Sequence, residues 1–142
     1  MIRFVVDASV ALCWYFDDQK TAYTEAVFDC LASGDQALVP ALWPLEVVNS
    51  LVVAVRQKTI SAAQIETFIR DLRDLPVEVD LEGTKRVYSS VFRLSQQHQL
   101  SSYDAAYLDL AVVEGLPLAT LDKNLRAAAQ RAGVERLTFP DK

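Results

Sequence analysis

The sequence predicts one α/β domain over residues 1–142, a three-layer α/β/α sandwich around a five-stranded, mainly parallel sheet. Short β-branched apolar runs alternate with longer stretches of helical periodicity, the pattern of strands joined by crossover helices. Hydrophobic residues make up 51% of the chain and only 4 residues are glycine, which excludes a disordered or low-complexity segment. A chain of 142 residues is long enough to bury a substantial core, and no linker, repeat or charge block divides it.

The elements follow in order. Residues 2–6 form a β-branched apolar run that ends at Asp7, as a buried central strand should. Residues 9–16 read as a short helix, and residues 21–32 as a second that stops at Ser33 and Gly34. A brief strand at 37–39 ends before Pro40. Pro44 suits the first turn of a helix to about Arg56, whose apolar residues on more than one face predict deep burial. Residues 61–73 carry the stripe Ile65, Phe68, Ile69 and Leu72. After Pro76 comes an alternating strand at 77–79, then a helix over 83–98. Ser101 or Ser102 caps the next helix, which lasts to Glu114 and Gly115. A strand at 118–120, a helix at 123–131 ended by Gly133, and a strand at 136–139 complete the chain.

Composition narrows the function. No apolar run approaches the roughly 20 residues that cross a bilayer, and residues 2–6 are too short for a signal peptide. A soluble cytoplasmic protein without membrane contact is expected. Cys13 and Cys30 lack metal-knuckle or redox-pair spacing and read as buried free thiols. The lone His98 falls near a helix C-terminus, so histidine acid–base chemistry is poorly supported. The net charge of −5 argues against nucleic acid. Two bound divalent cations would reduce it to −1 (−5 + 4), so charge alone does not decide the substrate.

Four acids carry the strongest signal. Asp7 and Asp122 directly follow predicted strands, and Glu46 and Asp104 stand in the first turns of predicted helices. In a parallel sheet, ligands bind outside the carboxyl ends of the strands. The strand ends place Asp7 and Asp122 at that edge, and the helix starts bring Glu46 and Asp104 to it. Taken singly, each has an ordinary explanation as an N-cap or first-turn acid. Together they differ from Asp17, Asp18, Asp71, Asp74 and Asp80, because apolar residues such as Val5, Val6, Leu45, Val47, Ala105 and Leu121 surround them. Partly buried carboxylates need partners, and clustered ones need a cation.

An all-carboxylate cluster without histidine or cysteine suits Mg²⁺ or Mn²⁺. Such ions serve in-line displacement at phosphorus, which makes phosphodiester hydrolysis the natural reaction class. Asp7, Asp104 and Asp122 are then expected metal ligands, with Glu46 holding a second metal or helping to deprotonate water. Ser9, Asn49, Thr120 and Asn124 lie close in sequence as candidate substrate contacts or supports of the ligands. Lys85, Arg86, Arg93, Lys123 and Arg126 are candidate guides for a phosphodiester substrate, although solvated helix faces explain each singly. Trp14, Tyr15 and Phe16 offer rings for base stacking, with core packing the better reading for Trp14.

At these residues the chain resembles the PIN-domain nucleases, and within them the VapC-type toxins of VapBC toxin–antitoxin pairs. The marks are Val5-Val6-Asp7-Ala8-Ser9, Leu45-Glu46-Val47-Val48-Asn49, Tyr103-Asp104-Ala105-Ala106-Tyr107 and Thr120-Leu121-Asp122, in that order along nearly the whole chain. The resemblance implies a Mg²⁺- or Mn²⁺-dependent endoribonuclease, a homodimer, and a small antitoxin whose tail covers the active site. Asp7, Glu46, Asp104 and Asp122 match the family's acidic positions. Asn124 departs from it, since relatives often carry an acid there, and this leaves open whether one or two metals bind. An RNA-processing or purely partner-binding PIN protein is the alternative. A haloacid-dehalogenase-like phosphatase is excluded because Ser9 stands where a second Asp is needed. A receiver domain is set aside: Asp80 could serve as its phosphoacceptor, but it also needs a Lys after its fifth strand, and here the final strand leads only to Pro140-Asp141-Lys142.

Overall fold

The computed structural model describes residues 1–139; Pro140, Asp141 and Lys142, the end of the predicted domain, lie outside the described residues. The central strand is β1 (Arg3–Val6), in which Phe4, Val5 and Val6 are wholly buried. It pairs in parallel with β2 (Gln36–Pro40) on one side and β4 (Leu118–Ala119) on the other. Strand β3 (Val77–Asp80) lies outside β2, giving the order β3-β2-β1-β4 with every pairing parallel. Helices flank this sheet, as the sequence pattern requires.

The expected fifth strand is reduced to one parallel bridge between Leu118 and Arg136. There the Leu118 N–H donates to the Glu135 carbonyl at 2.9 Å, and the Leu137 N–H to the Leu118 carbonyl at 3.0 Å. Strand β4 is two residues long and offers nothing more to pair with. Among the described residues the sheet therefore has four strands rather than five.

Side chains dictate where most helices start. Asp7 caps α1 (Ala8–Cys13), and capping boxes open α2 (Ala22–Ala32, Thr21 with Thr24) and α4 (Ala62–Asp74, Ser61 with Gln64). Helix α3 (Trp43–Arg56) has Pro44 in its first turn. Helix α5 spans Phe92–His98, α6 (Ser102–Glu114) is capped by Ser101, and α7 (Lys123–Arg131) by Asp122. Helix α6 ends at Gly115 with φ of 66°, a left-handed conformation that glycine adopts without strain.

Two segments depart from the sequence reading. The helix expected over 83–98 is a 3₁₀ turn (Glu82–Arg86), then a π turn (Val87–Val91), then α5. Arg86, the last residue of the 3₁₀ turn, and Ser90, within the wide π turn, both reach the carboxylate of Asp109 on α6, at 2.8 Å and 2.5 Å. Helix α3 is buried only on the side of Trp43, Val47, Leu51 and Ala54, leaving Leu45, Val48 and Val52 exposed. Apolar residues on several faces of a helix do not all find a core.

Smaller expectations resolve simply. Cys13 is buried and Cys30 half-buried, both free. His98 is the last residue of α5 and accepts from Arg131. Trp14 is in the core, donating to the Thr24 carbonyl at 2.9 Å. The Tyr15 ring stacks on Phe68 with centroids 4.2 Å apart, so it is packed within the protein. No helix among the described residues is long and apolar enough to cross a membrane.

The topology fixes where function can sit. From β1 the chain moves to β2 and β3 on one side, and only at its end reaches β4 on the other. The carboxyl ends of β1 and β4 thus form the switch point at which open α/β sheets bind ligands.

Candidate active site

Strand β1 delivers Asp7 to this crevice, where its N–H donates to the Ala119 carbonyl of β4 at 3.1 Å. The side chain is only 5% exposed. The Ser9 hydroxyl donates to Oδ1 at 2.5 Å, the Val10 N–H to the same oxygen at 3.3 Å, and the Thr120 hydroxyl to Oδ2. Ser9 Oγ accepts from the Leu121 N–H at 3.2 Å, and Thr120 Oγ1 from the Asp122 N–H at 3.0 Å. The two hydroxyls therefore clip the ends of β1 and β4 together across one carboxylate.

Asp122, half-buried, accepts from the Leu125 N–H at 2.8 Å as the cap of α7. Asp104, half-buried in the first turn of α6, has its own N–H bound by Ser101 at 3.1 Å. Burial holds the Asp7 carboxyl above the usual carboxylate range. Hydrogen bonds from Ser9, Thr120 and Val10 pull the other way, and the charge of Asp104 adds to the rise. Burial likewise raises Asp104, with the charge of Asp122 adding to it and the Ser101 hydrogen bond opposing. The three aspartates thus form an electrostatic chain in which Asp104 feels Asp122 and Asp7 feels Asp104.

Glu46 joins through a residue to which the sequence reading gave no role. Tyr107, 2% exposed on α6, donates its hydroxyl to Glu46 Oε1 at 2.6 Å. Burial raises this phenol strongly, the hydrogen bond and charge of Glu46 add to the rise, and the charge of Asp7 adds more. The proton therefore stays on Tyr107, which works as a donor. Its signal in the sequence was its spacing: Tyr107 lies one helical turn beyond Asp104, on the same face of α6.

Asn49 and Asn124 are exposed. The hydrogen bonds that described residues give these acids come from Ser9, Val10, Ser101, Thr120, Tyr107 and Leu125 instead. Of the candidate guides, Lys85 pairs with Glu82 at 2.9 Å. Arg86 is engaged by Asp109 at 2.8 Å, and Arg126 Nη2 donates to the Thr120 carbonyl at 3.2 Å. Asp80, expected to be solvated, accepts from the Gly83 N–H at 2.9 Å and lies 3.9 Å from Arg86.

The donor set suits a hard divalent cation: carboxylates, hydroxyls, and no cation of the chain within hydrogen-bond reach of Asp7 among the described residues. In the arrangement seen, no three acids among the described residues stand close enough to ligate one ion. The fit to a metal is one of donor chemistry and mutual repulsion rather than of finished geometry.

The comparisons with known proteins agree with this fold. Residues 4–131 match the PIN domain family. The chain belongs to the PIN-domain family. It is 25% identical over 124 residues to "Ribonuclease VapC3" of Pyrobaculum aerophilum, covering 87% of this chain and 92% of that protein. Among solved structures, PAE2754 from Pyrobaculum aerophilum superposes with a TM-score of 0.67 at 22% identity, covering 91% of this chain and 86% of that one. VapBC2 from Rickettsia felis, bound to a DNA fragment from its promoter, gives a TM-score of 0.58 at 14% identity over 89% and 93% of the two chains. This PIN domain thus shares its fold with both solved structures, and its acidic crevice lies at the switch point of its own sheet.

Proposed function

We propose that this PIN domain is a divalent-metal-dependent endoribonuclease, acting as the toxin of a toxin–antitoxin pair. The carrying observation is Asp7, a buried carboxylate met by hydroxyls and a further carboxylate instead of a cation. Family membership and similarity to a ribonuclease support the reading. Asp7, Asp104 and Asp122 would hold Mg²⁺ or Mn²⁺, with Glu46 completing the set. When bound, the cation offsets charge at the phosphate oxygens and lowers the pKa of an attacking water.

The chain's own residues do the rest. Ser9 and Thr120 fix both oxygens of Asp7, so that carboxylate needs no reorientation to serve as a ligand. Tyr107 ties Oε1 of Glu46 and leaves Oε2 to accept a proton from water or to bind a second ion. Asn124, exposed in the first turn of α7, offers a neutral carbonyl where a further charge would strengthen such an ion.

The exposed stripe of Leu45, Val48 and Val52 on α3 supports pairing with a second copy or with a small antitoxin. The test is cleavage of RNA by wild type and Asp104→Asn in Mg²⁺, in Mn²⁺ and in EDTA. Cleavage should require metal and vanish in the variant while the circular dichroism spectrum is kept. Full cleavage by folded Asp104→Asn would refute the site. Growth arrest on expression, relieved by the same substitution, separates a toxin from an RNA-processing enzyme.

A further inference from the structure

A cleft of about 560 Å³ opens between α7, the end of β4 and residues 133–138. Thr120 separates it from the acidic crevice: the hydroxyl of Thr120 donates to Asp7, and its carbonyl accepts from Arg126. Leu118, Ala129 and Val134 give the cleft an apolar lining. Two arginines line it as well. The Arg126 Nε–H is shielded from solvent and meets no acceptor among the described residues. Arg136 holds its guanidinium 4.3 Å over the Tyr23 ring. Glu135 also lines the cleft but is exposed, so solvent screens its charge.

These features belong together chemically. A buried guanidinium N–H without an acceptor is costly, and a phosphate oxygen satisfies it with a strong charge-assisted bond. An apolar wall beside such a donor accommodates a nucleobase, and the volume falls in the range of small-molecule sites. We propose that this cleft is a nucleotide subsite. It takes the phosphate of a nucleotide next to the bond that is cut on Arg126, and the base against Leu118, Ala129 and Val134. The proposal rests on the nuclease reading for the identity of its ligand as RNA. It makes Arg126 both a substrate contact and, through Thr120, a neighbour of Asp7.

The test keeps the full chain in EDTA, so that nothing is cleaved, and follows NMR signals during titration with mixed-sequence single-stranded RNA. The Arg126 Nε–H resonance and the amides of Ala129, Gln130 and Val134 should shift and saturate. Gln130→Trp, which fills the cleft from the exposed side of α7, should weaken binding about tenfold, as should Arg126→Gln by removing a charge-assisted contact. The same two variants should raise KM for cleavage more than they lower kcat. Shifts at Arg126 without metal-dependent cleavage would refute the nuclease and leave the nucleotide site standing. Metal-dependent cleavage with no shift at Arg126, and with Gln130→Trp binding RNA as wild type does, would overturn the cleft proposal.

Discussion

Asp7 and Asp109 are both carboxylates set in apolar sequence, exposed to 5% and 2%, yet only Asp109 is met by a cation of its own chain. Arg86 donates to one of its oxygens and Ser90 to the other, and the assembly joins α6 to the 3₁₀ and π turns that precede α5. Asp7 has two hydroxyls and one backbone N–H, and the charge that acts on it is that of another carboxylate, Asp104. Burial alone therefore does not mark a functional acid. What distinguishes Asp7 is that its compensation is incomplete within the chain, so its environment suits a cation from outside.

Breaking the compensated acid should give the largest effect. Asp109→Leu leaves Arg86 facing a partly buried site without its partner. It should cost about 3 kcal/mol of stability, the scale for removing one member of a buried pair, read by urea denaturation at neutral pH. A loss near zero would mean that Arg86 swings to solvent and that the contrast with Asp7 is overdrawn.

A smaller effect sharpens the other side of the comparison. Tyr107→Phe removes only the hydroxyl that holds Glu46 at 2.6 Å. Cleavage should fall about tenfold, the worth of one hydrogen bond to a charged group, while stability changes by about 1 kcal/mol or less because half-exposed Glu46 is rehydrated. Unchanged cleavage would remove Tyr107 from the site.

The gentlest probe is pH. The folded pKa values of Asp7 and Asp104 both lie above their ordinary value of 3.8, so the folded chain binds more protons than the unfolded one just above that pH. Their contribution to metal-free stability is greatest below pH 3.8 and declines as pH rises through the raised values. Denaturation in EDTA should show Asp7→Asn losing less stability than wild type across this window, since the amide does not ionise. Parallel curves would contradict a carboxyl raised at Asp7, chiefly by burial and further by the charge of Asp104.

Much of this was legible in the sequence because it is local. The run ending at Asp7, the Ser101 cap of α6 and the stop at Gly115 follow from residues within a few positions of one another. Apolar surroundings also marked Asp7, Asp104 and Asp122. The same criterion fits Asp109, between Leu108 and Leu110, and the sequence could not say that Arg86, 23 positions away, would neutralise it. The bond from Tyr107 to Glu46 spans 61 positions and was hidden for the same reason. Where the prediction of regular structure failed, tertiary contacts decided: Asp109 draws on Arg86 and Ser90 from the turns before α5, and the shortness of β4 limits the fifth strand.

The most direct measurement is Mn²⁺ binding by calorimetry to wild type and Asp7→Asn, paired with thermal unfolding. Wild type should bind, and at a free concentration ten times Kd it should gain about 1.4 kcal/mol of stability, while Asp7→Asn shows neither the heat nor the gain. Equal binding by folded Asp7→Asn would contradict the claim that this buried, incompletely compensated carboxylate is built to receive a cation.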